Sequence, residues 1–257
     1  MRVLLFSLRI PFILLWLASS LLSVAVVYPF VGQRFRAAMN ERWSRMLVAI
    51  CGIDVQVQGQ PTMTGATMWV ANHVSWIDIF ILSSVRSVVF IAKRDIRSWP
   101  VIGWLVEKAG TVFIDRTQRN SVRQVGQQMQ AMFTEGQVVG LFAEGTTSTG
   151  FDVLPFHASL FEPALRAGVP IQPVALRFFH RGQRSDYLAF VGQEGLVHNL
   201  WTLLGTTGSK VEIEFLPVLT SAQIADWGRA QVASHTRELI RAEVVPGGIN
   251  LDKASEA

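Results

Sequence analysis

The sequence predicts an α/β protein, a mixed and largely parallel sheet covered by helices, preceded by a two-helix membrane anchor. Three observations carry that expectation. A chain of 257 residues holds one sizeable core plus an appended element and is short for two full domains. Its first fifty residues contain a long uncharged run. Beyond Gly52, short β-rich runs alternate with helical stretches, without internal repeats or low-complexity tracts.

The anchor comes first. No residue from Ile10 to Val31 is charged, and those 22 residues would extend about 33 Å as a helix, enough to cross a bilayer core. Apolar residues, Trp16 among them, persist to Tyr28-Pro29, whereas a cleaved signal sequence has a shorter apolar region followed by small residues. Arg2 and Arg9 flank the run on one side and Arg34, Arg36, Arg42 and Arg45 on the other, so charge gives no simple orientation for a full crossing. Phe35, Met39, Trp43, Met46, Leu47 and Ile50 then recur at helical spacing with arginines between them, the pattern of an amphipathic helix lying in the interface. The favoured arrangement is a re-entrant hairpin; a single crossing followed by an ordinary core helix is the alternative. Residues 1–52 are expected to form the anchor and residues 53–257 the catalytic domain.

Composition limits the partners. Half the residues are hydrophobic and 16% are charged, below the roughly 25% usual for soluble domains, so apolar surface faces something other than water. A net charge of +4 favours anionic partners, but no basic run with interleaved aromatics and no zinc-finger spacing is present, which sets nucleic acid aside. The single cysteine, Cys51, has no internal disulfide partner and lies in an apolar stretch, where it reads as a small buried hydrophobe in a cytoplasmic protein.

After Gly52, strands are expected at Val55–Gln58, Thr67–Val70, Val88–Ala92, Thr111–Ile114, Val138–Phe142, Ile171–Leu176, Tyr187–Val191 and Val211–Phe215. Helices are expected at Trp76–Ser83, Pro100–Lys108, Ser121–Phe133, Ala158–Ala167 and Ala222–Glu243, the last with Ser221 as N-cap. In sheets of this kind reactive residues gather in the loops at the carboxyl ends of the strands.

Four short motifs fall in or beside such loops. In Asn72-His73-Val74-Ser75-Trp76-Ile77-Asp78, a continuous helix would put residues five apart about 140° around its axis, so His73 and Asp78 meet only if the chain turns between them, with Ser75 as a candidate N-cap. An aspartate against one imidazole nitrogen leaves the other free to take a proton. Alone, the fragment reads more readily as a capped helix start with a loop histidine. Gly110-Thr111-Val112-Phe113-Ile114-Asp115-Arg116 is a strand ending in a charged pair, either a solvated pair or an arginine placed to grip phosphate. Phe142-Ala143-Glu144-Gly145-Thr146-Thr147-Ser148 follows another apolar strand and reads either as a polar turn or as a loop where Gly145 lets the backbone approach a ligand and hydroxyls line it. The two prolines of Val169-Pro170-Ile171-Gln172-Pro173-Val174 suggest an edge or irregular strand.

Taken together, in this order and spacing, the four motifs resemble the glycerolipid acyltransferase family, and within it the bacterial 1-acyl-sn-glycerol-3-phosphate acyltransferases. The resemblance spans about 110 residues, roughly His73 to Val174. It implies the acyltransferase fold, His73 taking the proton of the acceptor hydroxyl, Asp78 supporting it, Arg116 holding headgroup phosphate, Glu144, Gly145 and Thr146 shaping the acceptor site, and Pro170 in the fourth block. It also implies acyl-CoA or acyl carrier protein as donor, a lysolipid acceptor, phosphatidic acid as product, no cofactor or metal, and an enzyme at the cytoplasmic side of a bacterial inner membrane. One departure stands out. Where many members have arginine after Glu-Gly-Thr, this chain has Thr147; Lys93, with Arg94 and Arg97 behind it, is either a substitute source of positive charge or a solvated basic loop. A related subfamily acylates lyso-ornithine lipid, an acceptor without phosphate, which makes that lipid the alternative substrate.

The expected chemistry is direct transfer, with His73 as general base and backbone donors at the oxyanion. A serine hydrolase would need a Gly-x-Ser-x-Gly elbow, which the chain lacks. His157, His180, His198 and His235 have no comparable partner pattern. Outside enzymology, the competing reading is a membrane lipid-binding protein that keeps the fold without turnover.

Overall fold

Every residue of Thr67–Ala71 is buried, as a strand covered on both faces must be, and around it the computed structural model builds a single sheet between two layers of helices. It describes residues 1–93, 97, 102–108, 111–114, 119–192 and 194–245. In chain order the elements are α1 (Arg2–Val26), α2 (Gln33–Ile50), β1 (Ile53–Gly59), β2 (Thr67–Ala71), α3 (Asp78–Val85), β3 (Val88–Lys93), α4 (Ile102–Lys108), β4 (Val112–Ile114), α5 (Arg119–Thr134), β5 (Val138–Leu141), α6 (Glu162–Ala167), β6 (Ile171–His180), β7 (Gln183–Arg184), α7 (Leu196–Leu204), β8 (Ser209–Phe215) and α8 (Arg229–Val244).

The strands run in the order β1-β8-β6-β2-β5-β3-β4, with β7 folded back on β6. β6, β2, β5, β3 and β4 are mutually parallel, while β8 runs antiparallel to β6 and carries β1 parallel to itself. Side chains alternate across the sheet with the two-residue period of a strand. Trp69, Ala71, Phe90 and Leu176 point to one core, shared with α1, α2, α3 and α7. Met68, Val70, Val89 and Leu141 point to the other, under α5, α6 and α8.

α1 is continuous with the apolar turn behind it. From Arg2 to Phe30 it gives 29 residues, with a mean hydropathy of 2.3 over an 18-residue stretch, long and apolar enough to cross a membrane. Its two faces differ. Ile13, Trp16, Ser20 and Val24 are buried against the body, whereas Leu4, Leu8, Phe12, Leu15, Leu22 and Val26 stand exposed. Trp16 donates its indole N–H to the Trp43 carbonyl at 2.9 Å, and Tyr28 stacks on Trp43, so α1 and α2 form a pinned hairpin. Arg9 donates to the carbonyls of Cys51, Leu204 and Thr206 at 3.4, 3.1 and 2.6 Å, gathering the ends of α2 and α7 around one guanidinium. That is where helix dipoles favour a cation. Cys51 is buried, and burial pushes its thiol up to about 12, the behaviour of an inert core residue.

Several expectations are corrected. Tyr187–Val191 is not a strand: the Ala189 amide closes a turn on the Asp186 carbonyl at 2.8 Å, and the apolar run instead packs Leu188 and Ala189 into the core. α7 was not expected; its Leu203 and Leu204 are buried at helical spacing behind an N-cap glycine, Gly195. The C-terminal helix begins at Arg229, not Ala222. Thr220 and Gln223 exchange hydrogen bonds in a closed turn, but the chain breaks at Gly228, and it is Gly228, not Ser221, that caps α8. Residues 158–167 divide into a 3₁₀ turn over Ala158–Leu160 and the short helix α6. The strand with two prolines lies near the centre of the sheet, not at its edge. Ile171 bonds to Leu219 through both its N–H and its carbonyl, so Pro173, two residues on, turns its missing N–H to the same side, just before the ladder with β8 begins at Val174.

Candidate active site

The parallel register brings four carboxyl ends to one edge of the sheet. Val70 of β2 lies beside Leu141 of β5, Phe90 of β3 beside Gly140, and Lys93 beside Ile114 of β4. The first and third motifs leave the sheet here, and β4, which holds Val112–Ile114 of the second, ends at the same edge.

At the end of β2, the buried side chain of Asn72 donates to the Leu176 carbonyl at 3.0 Å and accepts from the Leu176 amide at 2.7 Å, clipping the strand's exit to β6. His73 follows. The chain then turns, with the Asp78 amide donating to the Ser75 carbonyl at 3.1 Å, and α3 begins at Asp78 itself. One carboxylate oxygen of Asp78, fully buried, accepts from His73 Nδ1 at 2.8 Å, the Val74 amide at 2.7 Å and the Ser75 amide at 3.0 Å. Ser75 is therefore not the cap; its hydroxyl is buried without a partner among the described residues, and the aspartate holds the preceding amides from within the first helical turn.

A carboxylate accepting from Nδ1 fixes the proton there and leaves Nε2 with a lone pair. Nε2 has no hydrogen-bond partner among the described residues, and the side chain is 17% exposed, so one edge of the ring reaches the surface. The ring is held parallel to Phe142, with centroids 3.9 Å apart and planes 9° apart, and Phe142 stacks in turn on Phe90. The main chain of His73 is held as well. Its amide donates to Glu144 Oε1 at 2.7 Å, and its carbonyl accepts from the Ser148 amide at 2.8 Å.

Glu144 is buried and turned inward, its second oxygen accepting from the Leu154 amide at 2.9 Å. Burial raises its pKa to about 7. The amides of Leu154 and His73 and the charge of Arg237 oppose that rise, and Asp78 adds to it. Gly145 adopts φ 76°, a conformation glycine takes at no steric cost. Thr146 is exposed, whereas the Thr147 hydroxyl donates to the Phe190 carbonyl and the Ser148 hydroxyl lies 3.4 Å from the His73 carbonyl. Lys93 ends β3 at the same edge. Arg116 and Arg94 lie outside the described residues, and Arg97 is exposed and paired with Glu107 at 2.7 Å.

The structure thus brings together His73, Asp78 and Glu144 and sets Gly145, Thr146 and Lys93 on the same edge. Asn72 and Glu144's inward role could have been sought in the motifs that contain them. Nothing in the sequence links His73 to Leu154 or Phe190. A cleft lined by Tyr28, Arg36, Asn40, Lys108, Thr111 and Gln137 opens at the opposite, amino edge of the sheet. The paired imidazole and carboxylate lie away from that cleft, at the carboxyl edge.

Known proteins resemble the chain over most of its length. The model of the family described as Acyltransferase matches residues 54–177, which contain all four motifs. A lyso-ornithine lipid O-acyltransferase of Pseudomonas aeruginosa is 34% identical over 206 residues, covering 80% of this chain and 78% of its own. A 1-acyl-sn-glycerol-3-phosphate acyltransferase of Neisseria gonorrhoeae is 34% identical over 199 residues, covering 76% and 77%. The crystal structure of the 1-acyl-sn-glycerophosphate acyltransferase of Thermotoga maritima superposes with a TM-score of 0.68 at 21% identity, covering 100% of this chain and 99% of that one, which is a likeness of fold.

Proposed function

Because the chain belongs to the acyltransferase family, we propose that it moves a fatty acyl group from acyl-CoA or acyl carrier protein to the free hydroxyl of a lysolipid, with His73 as general base. The observation that carries this reading is the 2.8 Å bond from His73 Nδ1 to Asp78, which leaves Nε2 unpartnered among the described residues at the surface. Nε2 takes the hydroxyl proton as the oxygen attacks the thioester carbonyl; the C–S bond then breaks and the same proton passes to the leaving thiolate. Glu144 and Gly145 shape the loop, and Thr146, with its exposed side chain, faces the acceptor. A general base of this kind supplies about 10² to 10⁴ in rate.

Of the two acceptors that the relatives' names offer, lyso-ornithine lipid fits best. Thr147 carries no charge, and its hydroxyl is spent on the Phe190 carbonyl. Lys93 and Arg116 are the proposed partners of the acceptor headgroup, and a free carboxylate suits such cations as a phosphate does. The same two cations favour 1-acyl-sn-glycerol-3-phosphate as the second reading, giving phosphatidic acid.

Residues 1–52 serve as the membrane anchor and residues 53–257 carry the chemistry. The hold of Arg9 on three carbonyls supports a hairpin that stays with the body and presents its outer face to one leaflet. Since thioester donors are cytosolic, that leaflet is the cytoplasmic one of a bacterial inner membrane.

The test is acyl transfer by purified protein in detergent, with labelled acyl-CoA or acyl carrier protein and either acceptor, beside His73→Ala. Product from lyso-ornithine lipid alone supports the first acceptor, and product from the phosphate acceptor alone supports the second. Absence of His73-dependent product from both overturns the assignment and leaves lipid binding without turnover.

A further inference from the structure

The second amide that Glu144 holds belongs to Leu154, in a stretch from Gly150 to Phe156 without regular secondary structure. Such a stretch does not fix an amide by itself. What fixes it comes from the far side of the sheet. Arg237 of α8 donates through Nε and Nη2 to the Val153 carbonyl at 3.0 and 2.6 Å, and through Nε to the Leu154 carbonyl at 3.0 Å. One turn on, Arg241 holds the Asp152 carboxylate at 2.6 and 3.1 Å. An arginine's planar fork on two successive carbonyls sets the plane of the peptide between them, and that peptide carries the Leu154 amide.

We propose that Arg237 is a positioning residue for acyl transfer, acting through the Val153–Leu154 peptide and Glu144 on the main chain of His73. The relay is short: guanidinium to carbonyl, amide to Glu144 Oε2 at 2.9 Å, and Glu144 Oε1 to the His73 amide at 2.7 Å. The inference rests on the reading of His73 as the base. Arg237 also acts by charge. The charged groups that bear on Glu144 are Asp78 from α3, which pushes its pKa up, and Arg237 from α8, which pulls it down, with the titratable His73 bonded beside it. Without Arg237 the carboxyl would stay protonated to higher pH and hold one of its two amides less well.

The experiment compares wild type, Arg237→Gln and Arg237→Lys as full chains in detergent. The ¹⁵N-histidine amide signal of His73, identified by its loss in His73→Gln, is followed against pH together with kcat and KM. In Arg237→Gln the midpoint of that signal should rise by half a unit or more and kcat should fall about tenfold at pH 7 with KM for the donor within twofold; the lysine variant should recover part of both. A midpoint that does not move overturns the relay, whether or not the protein turns over. A midpoint that moves while kcat and its pH profile stay at wild-type values overturns the positioning role. If wild type itself shows no His73-dependent transfer, the functional reading fails, and the amide titration still decides the link between Arg237 and His73. Should the glutamine variant not fold, the lysine variant carries the same comparison, because it keeps the charge and loses the fork.

Discussion

The imidazole of His73 lies parallel to the ring of Phe142 at 3.9 Å, and the stack continues through Phe90 at 5.2 Å. Room for it exists because residue 140 is glycine: a Cβ there would strike the Phe90 ring. Asp78 thus sets which nitrogen of His73 is protonated, and the aromatic stack sets the plane in which the other presents its lone pair.

Phe142→Leu keeps the apolar volume and removes the flat support. Its kcat is expected to fall 5- to 20-fold with KM nearly unchanged, since orientation and not binding is lost, at about 1 kcal/mol in stability. Gly140→Ala should act in the same direction through Phe90. Steady-state kinetics beside a thermal melt check both; a rise in KM without a fall in kcat would contradict the role given to the stack.

Stability should carry the mark of Glu144. Its folded pKa, about 7, lies above the ordinary 4.5, so between those values the folded protein holds a proton that the unfolded chain has released. This group's contribution is therefore fully present below about pH 4.5 and is lost as pH rises through 7, on the order of 3 kcal/mol in all. Denaturation midpoints in detergent between pH 5 and 8 should slope downward in wild type by more than in Glu144→Gln, which cannot ionise. The glutamine variant should be less stable at every pH by about 1–3 kcal/mol, because its amide group faces a backbone N–H where a carboxylate oxygen stood.

Thr147→Arg tests the acceptor. The substitution gives up the bond to the Phe190 carbonyl and adds a cation next to the exposed Thr146. The ratio of kcat/KM for 1-acyl-sn-glycerol-3-phosphate over lyso-ornithine lipid should rise about tenfold, the worth of one charge-assisted hydrogen bond. An unchanged ratio would remove position 147 from acceptor choice.

The outward face of α1 can be tested without disturbing the core. Leu8, Leu15 and Leu22 are 57%, 66% and 65% exposed, so changing all three to lysine should leave the melting temperature within a few degrees while most of the protein leaves sedimented membranes. Full retention on membranes would show that lipid is held elsewhere.

Much of the frame could be read along the chain because each strand and helix carries its own period. β2, β3 and β5 lie where apolar runs place them, and α5 begins two residues earlier than its pattern suggests. What could not be read depends on partners distant in sequence. Tyr187–Val191 has the residues of a strand, yet the Phe190 amide finds the Val74 carbonyl and no ladder. β6 carries Pro173 in mid-sheet, with Pro170 just ahead of it, because the missing donor falls where its neighbour has ended. At the site, His73 and Asp78 were legible as a pair, since six residues with a turn suffice to join them. The inward use of Glu144 was not, because it takes an amide from Leu154 and a guanidinium from Arg237, 83 residues further on, to give that carboxylate its surroundings.

The convergence of three carbonyls on Arg9 bears on how such enzymes can be taken apart and recombined. A membrane segment joined by a flexible linker is interchangeable, and a foreign helix can be grafted in its place. Here the graft would strip Cys51, Leu204 and Thr206 of a common donor and open the core at Ile13 and Trp16. The N-terminal hairpin and the sheet it rests on are therefore one heritable part, to be exchanged between relatives together or not at all.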